Sequence, residues 1–81
     1  QVQIEALKVA GNLKAPELLN SILGSLSSKN KWVRMAAIEA LKDYEDERVD
    51  RSLNLLSSTD NDYAVKSTID QVLKYRNEKG I

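Results

Sequence analysis

The sequence predicts an all-α protein in which five helices stack as an α–α superhelix of about two and a half repeats. Two observations predict this fold: a motif recurs every 31 to 32 residues, and the apolar residues of each copy follow the period of a helix. A helix pair that recurs in this way buries its apolar stripe against the next copy. We therefore expect one domain, 1–81, with repeats at about 1–28, 29–60 and 61–81.

The repeat is clearest in two segments that begin thirty-two positions apart. The segment SKNKWVRMAAIEAL begins at Ser28 and the segment DNDYAVKSTIDQVL begins at Asp60, which aligns Val33 with Val65. A third copy, VQIEALKVAGNL, precedes them and aligns Val2 with Val33. The segments between these copies, ELLNSILGSLSS and RVDRSLNLLSS, also correspond, so the repeated unit is a pair of helices.

The apolar positions within each segment predict the core. In the second copy they fall at i, i+4, i+7, i+8 and i+11, which places them on one face of a helix. These positions are Val33, Ala37, Ala40, Leu41 and Tyr44. The second helix of the first repeat carries a similar stripe. Across the chain, the predicted core includes Leu19, Leu23, Val33, Ala37, Leu41, Leu53, Leu56, Ile69 and Leu73.

Helix boundaries follow from the residues that begin and end helices. We expect helices at about 1–13, 16–27, 31–44, 47–57 and 62–76. Gly11 is interpreted as a stop signal near the end of the first helix, and Pro16 suits the first turn of the second. Short polar side chains accept hydrogen bonds from the free amides of a first turn. The predicted N-caps are Asn30, Asp46 and either Asp60 or Asp62.

The composition excludes several kinds of chemistry. The chain has no Cys and no His, which removes disulfides, thiol catalysis, most zinc sites and the commonest general base. We therefore expect no catalytic residues, no metal, no cofactor and no enzymatic activity. The apolar runs are too short to cross a membrane. Because Gln1 already lies in a helical pattern, we expect a piece of a longer chain, and no signal identifies its compartment beyond the cytoplasmic default.

The distribution of charge favours protein partners over nucleic acid. Twelve basic and twelve acidic side chains leave a net charge of zero, whereas binding through phosphates needs a clustered basic excess. Residues 1–31 carry four basic and two acidic side chains, and residues 63–81 carry the same numbers. Residues 32–62 carry four basic and eight acidic side chains. An acidic middle between mildly basic ends favours protein binding, or self-association through the open ends of the stack.

The second copy resembles the opening helix of the short, phycobilisome-lyase type of HEAT-like repeat. The matching residues are Asn30, Trp32, Val33, Arg34, Ala36, Ala37, Glu39, Ala40 and Leu41. The third copy departs from it at Asp70, which replaces Ile38, and the first has Gln3 in the arginine position. The resemblance implies a protein–protein interaction scaffold. Alternatives are an accessory domain of a larger, lyase-like enzyme, or a nucleic-acid-binding module, which would need a strongly basic concave face.

Two sets of residues admit both a functional and a structural interpretation. Arg34 and Lys66 could form a basic ladder for a ligand, but the resemblance favours pairing with the caps of neighbouring repeats, with Asn30 and Asp62 as partners. Trp32 could stack on a base or anchor a peptide. The resemblance instead implies that its ring packs across the turn against the preceding repeat, and this interpretation is favoured.

Acidic and hydroxyl clusters favour structural roles. The run from Asp43 to Glu47, with Asp50 beyond it, could hold calcium, but it lacks the ligand spacing and the turn glycine of an EF-hand. A solvated loop at the start of the fourth helix is the favoured interpretation. The Ser and Thr residues near the ends of the second helices suit turns and caps, because no His is present to activate a hydroxyl.

The candidate partner site lies on the second helices, which by resemblance line the concave side of the stack. In the first repeat, the positions outside the core stripe are small or polar. In the second repeat they are Arg48, Arg51, Asn54 and Leu55. We expect these four to contact an acidic or amphipathic protein segment, since Arg forks carboxylates. The alternative is that both arginines pair with nearby acids, of which Glu45, Glu47 and Asp50 are the candidates.

Overall fold

The computed structural model describes residues 2–81, which form five α-helices and one short 3-10 turn. The helices are α1 (Val2–Leu13), α2 (Leu19–Ser25), α3 (Lys31–Ala40), α4 (Glu47–Thr59) and α5 (Tyr63–Lys79). The 3-10 turn, Pro16–Leu18, leads directly into α2. The all-α fold with five helices is confirmed, and the predicted start of the first helix at Gln1 lies outside the described residues.

The helices form two layers. The first helices of the repeats pack side by side in chain order, α1 on α3 and α3 on α5, while α2 contacts α3 and α4 contacts α5. The resulting slab measures 32 × 30 × 16 Å. The outward positions of α2 and α4 are exposed, among them Asn20, Gly24, Arg51 and Leu55.

The core lies between the layers and agrees largely with the sequence prediction. Six of the nine predicted positions are buried: Leu19, Val33, Ala37, Leu41, Leu53 and Ile69. Leu23, Leu56 and Leu73 are only partly buried and pack against the edge of this cluster. Ile22, Ile38, Val49 and Val65 are also buried, so each apolar stripe is wider than the predicted set.

The carboxyl-terminal ends of α3 and α5 differ from the prediction by four and three residues. Helix α3 ends at Ala40, four residues early, and the Leu41 amide closes its last turn by donating to the carbonyls of Ala37 and Ile38. The following turn still buries Tyr44, which explains why the helical spacing continues past the helix. Helix α5 runs to Lys79 and stops at Gly80, whose φ of 77° is a left-handed conformation that glycine adopts easily.

The predicted N-caps are confirmed, and the structure distinguishes Asp60 from Asp62. Asn30 Oδ1 accepts from the Trp32 amide at 2.9 Å, and Asp46 Oδ1 accepts from the Arg48 amide at 2.8 Å. Asp62 caps α5. Asp60 lies one step earlier and accepts from the Asp62 amide at 2.9 Å, so it orients the turn that precedes the helix.

Gly11 lies near the end of α1, which stops at Leu13 as predicted, and it also has a role in packing. A Cβ atom at position 11 would lie 2.8 Å from the Ala40 Cα, closer than real contacts allow. Glycine is therefore required here for the close packing of α1 on α3.

Candidate interaction site

The predicted site residues lie on the open face that α2 and α4 form together. The Arg48 guanidinium donates from Nε and Nη2 to the two carboxylate oxygens of Asp46, at 3.2 and 3.1 Å. Its Nη1 donates to Asn20 Oδ1 at 3.0 Å, which links α4 to α2. The hydrogen bonds from Arg48, first from its side chain and then from its amide, lower the pKa of Asp46.

Arg51 and Asn54 also make local contacts. Arg51 Nη2 lies 2.6 Å from Glu47 Oε1, one turn earlier, and both side chains are largely exposed. Asn54 Nδ2 donates to the Asp50 carbonyl at 2.9 Å. Local pairing of the arginines therefore occurs, with Asp46 and Glu47 as the acids. Such exposed pairs are weak because both charges stay hydrated, and an incoming carboxylate can replace them.

Leu55 provides the apolar part of this face. Its side chain is 66% exposed although it is large and aliphatic. It borders a groove of about 210 Å³ between α2 and α4. The walls of this groove are Leu23, Leu26, Ser27, Ser52, Leu55, Leu56 and Thr59. The groove is shallow and mostly apolar, a shape that suits the apolar side of a helix better than a small molecule.

The charged and apolar parts of α4 lie on one side of the helix. Arg48, Ser52 and Leu55 are spaced by four and three residues, so they follow one another along a single stripe. Arg51 precedes Leu55 by one turn. We name this surface the α2–α4 groove: the groove walls together with Arg48, Arg51 and Asn54. It combines an apolar floor with two guanidinium groups at one end.

Arg34 forms an ion pair, as expected, but its partner is Asp60 rather than Asn30 or Asp62. Arg34 Nε lies 2.8 Å from Asp60 Oδ2, and both side chains are largely buried. Its N–H does not align with that oxygen, so the contact is an ion pair without a hydrogen bond. The predicted partners, Asn30 and Asp62, are occupied as helix caps. Lys66, the equivalent of Arg34 in the third copy, is exposed.

The expected packing of Trp32 against the preceding repeat is wrong. The ring is 58% exposed, and Lys31 Nζ lies 5.1 Å from its centre. Nine residues separate Trp32 from the buried Leu41, about two and a half helical turns, which places the ring on the opposite side of α3 from the core. Tyr63, the first residue of α5, is 84% exposed.

Tyr44 lies in the core as predicted, and its hydroxyl has a specific role. The hydroxyl donates to the Ala10 carbonyl at 2.9 Å, near the end of α1. Burial raises the pKa of Tyr44, and the negative charge of Glu17 adds to this shift. The neutral phenol therefore adds a second hydrogen bond to a carbonyl that also accepts from the Lys14 amide at 3.1 Å.

The acidic loop between α3 and α4 is largely structural. Asp46 caps α4, and Asp43 Oδ1 accepts from the Tyr75 hydroxyl at 2.6 Å. The hydrogen bond to Asp43 raises the pKa of Tyr75. Within residues 2–81, no three acidic side chains come together as a metal site.

Arg76 is the most important side chain that sequence reasoning missed. It is 1% exposed, and its Nε donates to Asp50 Oδ1 at 2.8 Å. Its Nη1 donates to three backbone carbonyls at the end of α3 and the turn beyond it, those of Leu41, Lys42 and Tyr44. A signal for this role was present, because Arg76 lies thirty-two residues after Tyr44, which caps α1 in the same way.

Comparisons with known proteins identify one family. The family model for HEAT repeats matches residues 1–74. A search of curated proteins and a search of solved structures each found no match. No helix among the described residues is long and apolar enough to cross a membrane.

Proposed function

Because the chain belongs to the HEAT repeat family, we propose that it is a non-enzymatic scaffold that binds another protein through the α2–α4 groove. HEAT repeats are commonly protein-interaction scaffolds and are typically non-catalytic. The observation that carries the proposal is an exposed leucine, Leu55, beside an apolar groove with two arginines at one end.

The chemistry of the groove defines its partner. Leu23, Leu55 and Leu56 offer apolar contacts to one side of an amphipathic helix, which would bury the exposed Leu55. Arg48 and Arg51 are positioned to exchange their own carboxylates for those of the partner, since a guanidinium binds a carboxylate through two parallel hydrogen bonds. The expected partner segment therefore carries apolar residues along one side and acidic residues near one end.

Photo-crosslinking tests this proposal directly. A photoreactive amino acid replaces Leu55 in one version of the protein and the exposed Lys74 of α5 in a matched control. Extract of the source organism is then added to each. We expect a small set of proteins to crosslink at position 55 and not at position 74, and to disappear when Arg48→Glu and Arg51→Glu are introduced together, because both changes repel an acidic segment.

Two results would contradict the proposal. The first is an identical crosslinking pattern at positions 55 and 74, which would indicate nonspecific contact. The second is an unchanged pattern in the double arginine variant while its circular dichroism spectrum stays helical. Either result would show that the α2–α4 groove is not the partner site.

A further inference from the structure

A second surface lies where α3 and α5 begin, and it exposes the two aromatic rings described above. Trp32 lies in the first turn of α3, and Tyr63 is the first residue of α5. Lys31 connects the two helix starts: its Nζ is 5.1 Å from the centre of the Trp32 ring and 3.5 Å from Asp62 Oδ2. Tyr63 directly follows Asp62, so both aromatic residues lie next to this ion pair in the chain.

Neither ring contributes to the buried core. Both are among the most exposed large apolar side chains of the described residues. A single exposed apolar residue is ordinary on a protein surface, so exposure alone carries little weight. Two exposed aromatic residues next to the Lys31–Asp62 ion pair are more informative, because Trp and Tyr dominate the energetics of protein interfaces.

The charges at this surface favour an anionic ligand. Asp60 is buried against Arg34, and the Asp62 carboxylate accepts from the Ala64 and Val65 amides of α5. Asp60 is therefore buried, and Asp62 is engaged by these amides and by Lys31, whereas Lys29 and Lys66 are exposed. The amino-terminal ends of two helices add positive potential at the same place.

We propose that this surface, the aromatic edge formed by Lys29, Lys31, Trp32, Tyr63 and Lys66, binds an extended acidic peptide of a partner protein. Proline or aromatic side chains of the peptide stack on the two rings, and its carboxylates pair with the exposed lysines. A nucleic acid fits less well, because the chain has no net positive charge and the aromatic edge offers few free cations for a phosphate chain. The aromatic edge shares no residue with the α2–α4 groove.

A peptide of alternating glutamate and proline residues is a suitable probe. Proline keeps it extended and provides flat apolar rings. Trp32 is the only tryptophan of the chain, so its fluorescence reports on binding at this place. We expect a saturable change in Trp32 emission. Tyr63→Ala should weaken binding about tenfold, the effect expected when an interface aromatic is truncated. Lys66→Ala should weaken it by a smaller factor.

Matched controls separate this site from others. A lysine–proline peptide of equal length should not bind, and Leu55→Ala, which alters the α2–α4 groove, should leave the affinity for the acidic peptide unchanged. Tyr63 and Lys66 are exposed, so their variants should keep the wild-type helical circular dichroism spectrum.

Three outcomes would overturn the proposal. They are the absence of saturable binding, equal binding of the basic peptide, and wild-type affinity in Tyr63→Ala. Tighter binding of oligothymidylate than of the acidic peptide, with a steep dependence on salt, would instead assign the aromatic edge to single-stranded nucleic acid. None of these outcomes bears on the α2–α4 groove, which is tested with Arg48 and Arg51.

Discussion

Two residues at equivalent positions, Tyr44 and Arg76, hold successive repeats together by the same means. Tyr44 lies in the turn after α3 and Arg76 near the end of α5, and each donates to backbone carbonyls near or just beyond the end of the preceding first helix. The last carbonyls of a helix have no partner within it, so a side chain that reaches them stabilises both the helix end and the packing between repeats. Arg76 makes more contacts than Tyr44, because its guanidinium also donates to the Asp50 carboxylate.

Arg76 is therefore predicted to be a major source of stability. Arg76→Leu removes the donor to the buried Tyr44 carbonyl and the partner of Asp50, so the free energy of unfolding should fall by about 3–5 kcal/mol. The free energy of unfolding should fall less for Arg76→Lys, because an ammonium group can still donate to some of these acceptors. Urea titration measures both. Lys74→Leu, at an exposed position of α5, is the control, and an equal effect of the two leucine variants would disprove the role of Arg76.

Gly11 and Gly24 form a matched pair of helical glycines. Gly11→Ala places a Cβ atom 2.8 Å from the Ala40 Cα, and overpacking of this kind costs about 1–3 kcal/mol. The Cβ atom added by Gly24→Ala meets nothing within 4 Å. This variant should therefore show only the higher helix preference of alanine, which raises the free energy of unfolding by about 1 kcal/mol. Thermal unfolding should therefore shift in opposite directions for the two variants. If both variants unfolded at a higher temperature than wild type, α1 and α3 would be able to move apart at this contact and accommodate the added Cβ atom.

At the level of elements, the helix caps predict how stability depends on pH. The amide of Val65, and then the charge of Lys31, lower the pKa of Asp62 below its ordinary value of 3.8. Because the folded pKa is the lower one, the stabilisation is complete above the unfolded value and is lost as the pH falls through the folded value. Asp46 follows the same rule through Arg48.

Replacing the α5 cap with a neutral one tests this dependence. Asp62→Asn keeps a side-chain oxygen at the cap but removes the charge, so its urea midpoint should fall less steeply than that of wild type below about pH 4. The natural Asn30 cap of α3 allows the reverse experiment, in which Asn30→Asp should steepen the fall. Identical acid profiles for wild type and both variants would show that these caps do not contribute to acid unfolding.

The features that the sequence predicts correctly are those that follow from helical periodicity and from N-cap residues. Helix number, the buried stripe through Val33 and Leu41, and the Asn30 and Asp46 caps follow from local patterns. The environment of Trp32 and the contacts of Arg76 depend on how one helix crosses the next, which a single stripe does not specify. Arg34 pairs with Asp60, whereas Asp62 is engaged by the amides of α5 and by Lys31, a choice of partner that the sequence pattern does not specify.

At the level of the whole molecule, the two ends of the stack differ in polarity. Ile38 lies two residues from Ala40, on the side of α3 away from α1, and is fully buried. The equivalent residue of α5 is Asp70, which is exposed, so the outer side of α5 is polar at this position. The outer side of α1 instead carries Val9 and Leu13, which are 55% and 65% exposed.

The apolar end predicts self-association of this chain. Val9 and Leu13 occupy the positions of Ala40 and Tyr44, which are buried in the next repeat, and the adjoining groove between α1 and α2 is lined mainly by apolar side chains. For residues 1–81 on their own, with the outer side of α5 polar at Asp70, two copies should meet through α1 of each, in a two-fold arrangement.

Sedimentation equilibrium tests this arrangement. Wild type should show a dimer that forms reversibly with concentration, because pairing removes exposed apolar surface from water. The double variant Val9→Glu, Leu13→Glu should remain monomeric and helical, since both positions are solvent-exposed. Asp70→Lys on α5 is the control and should dimerise as wild type does. A wild-type monomer at all concentrations, or a dimer disrupted equally by Asp70→Lys, would exclude α1 as the contact and leave its apolar side to a different partner.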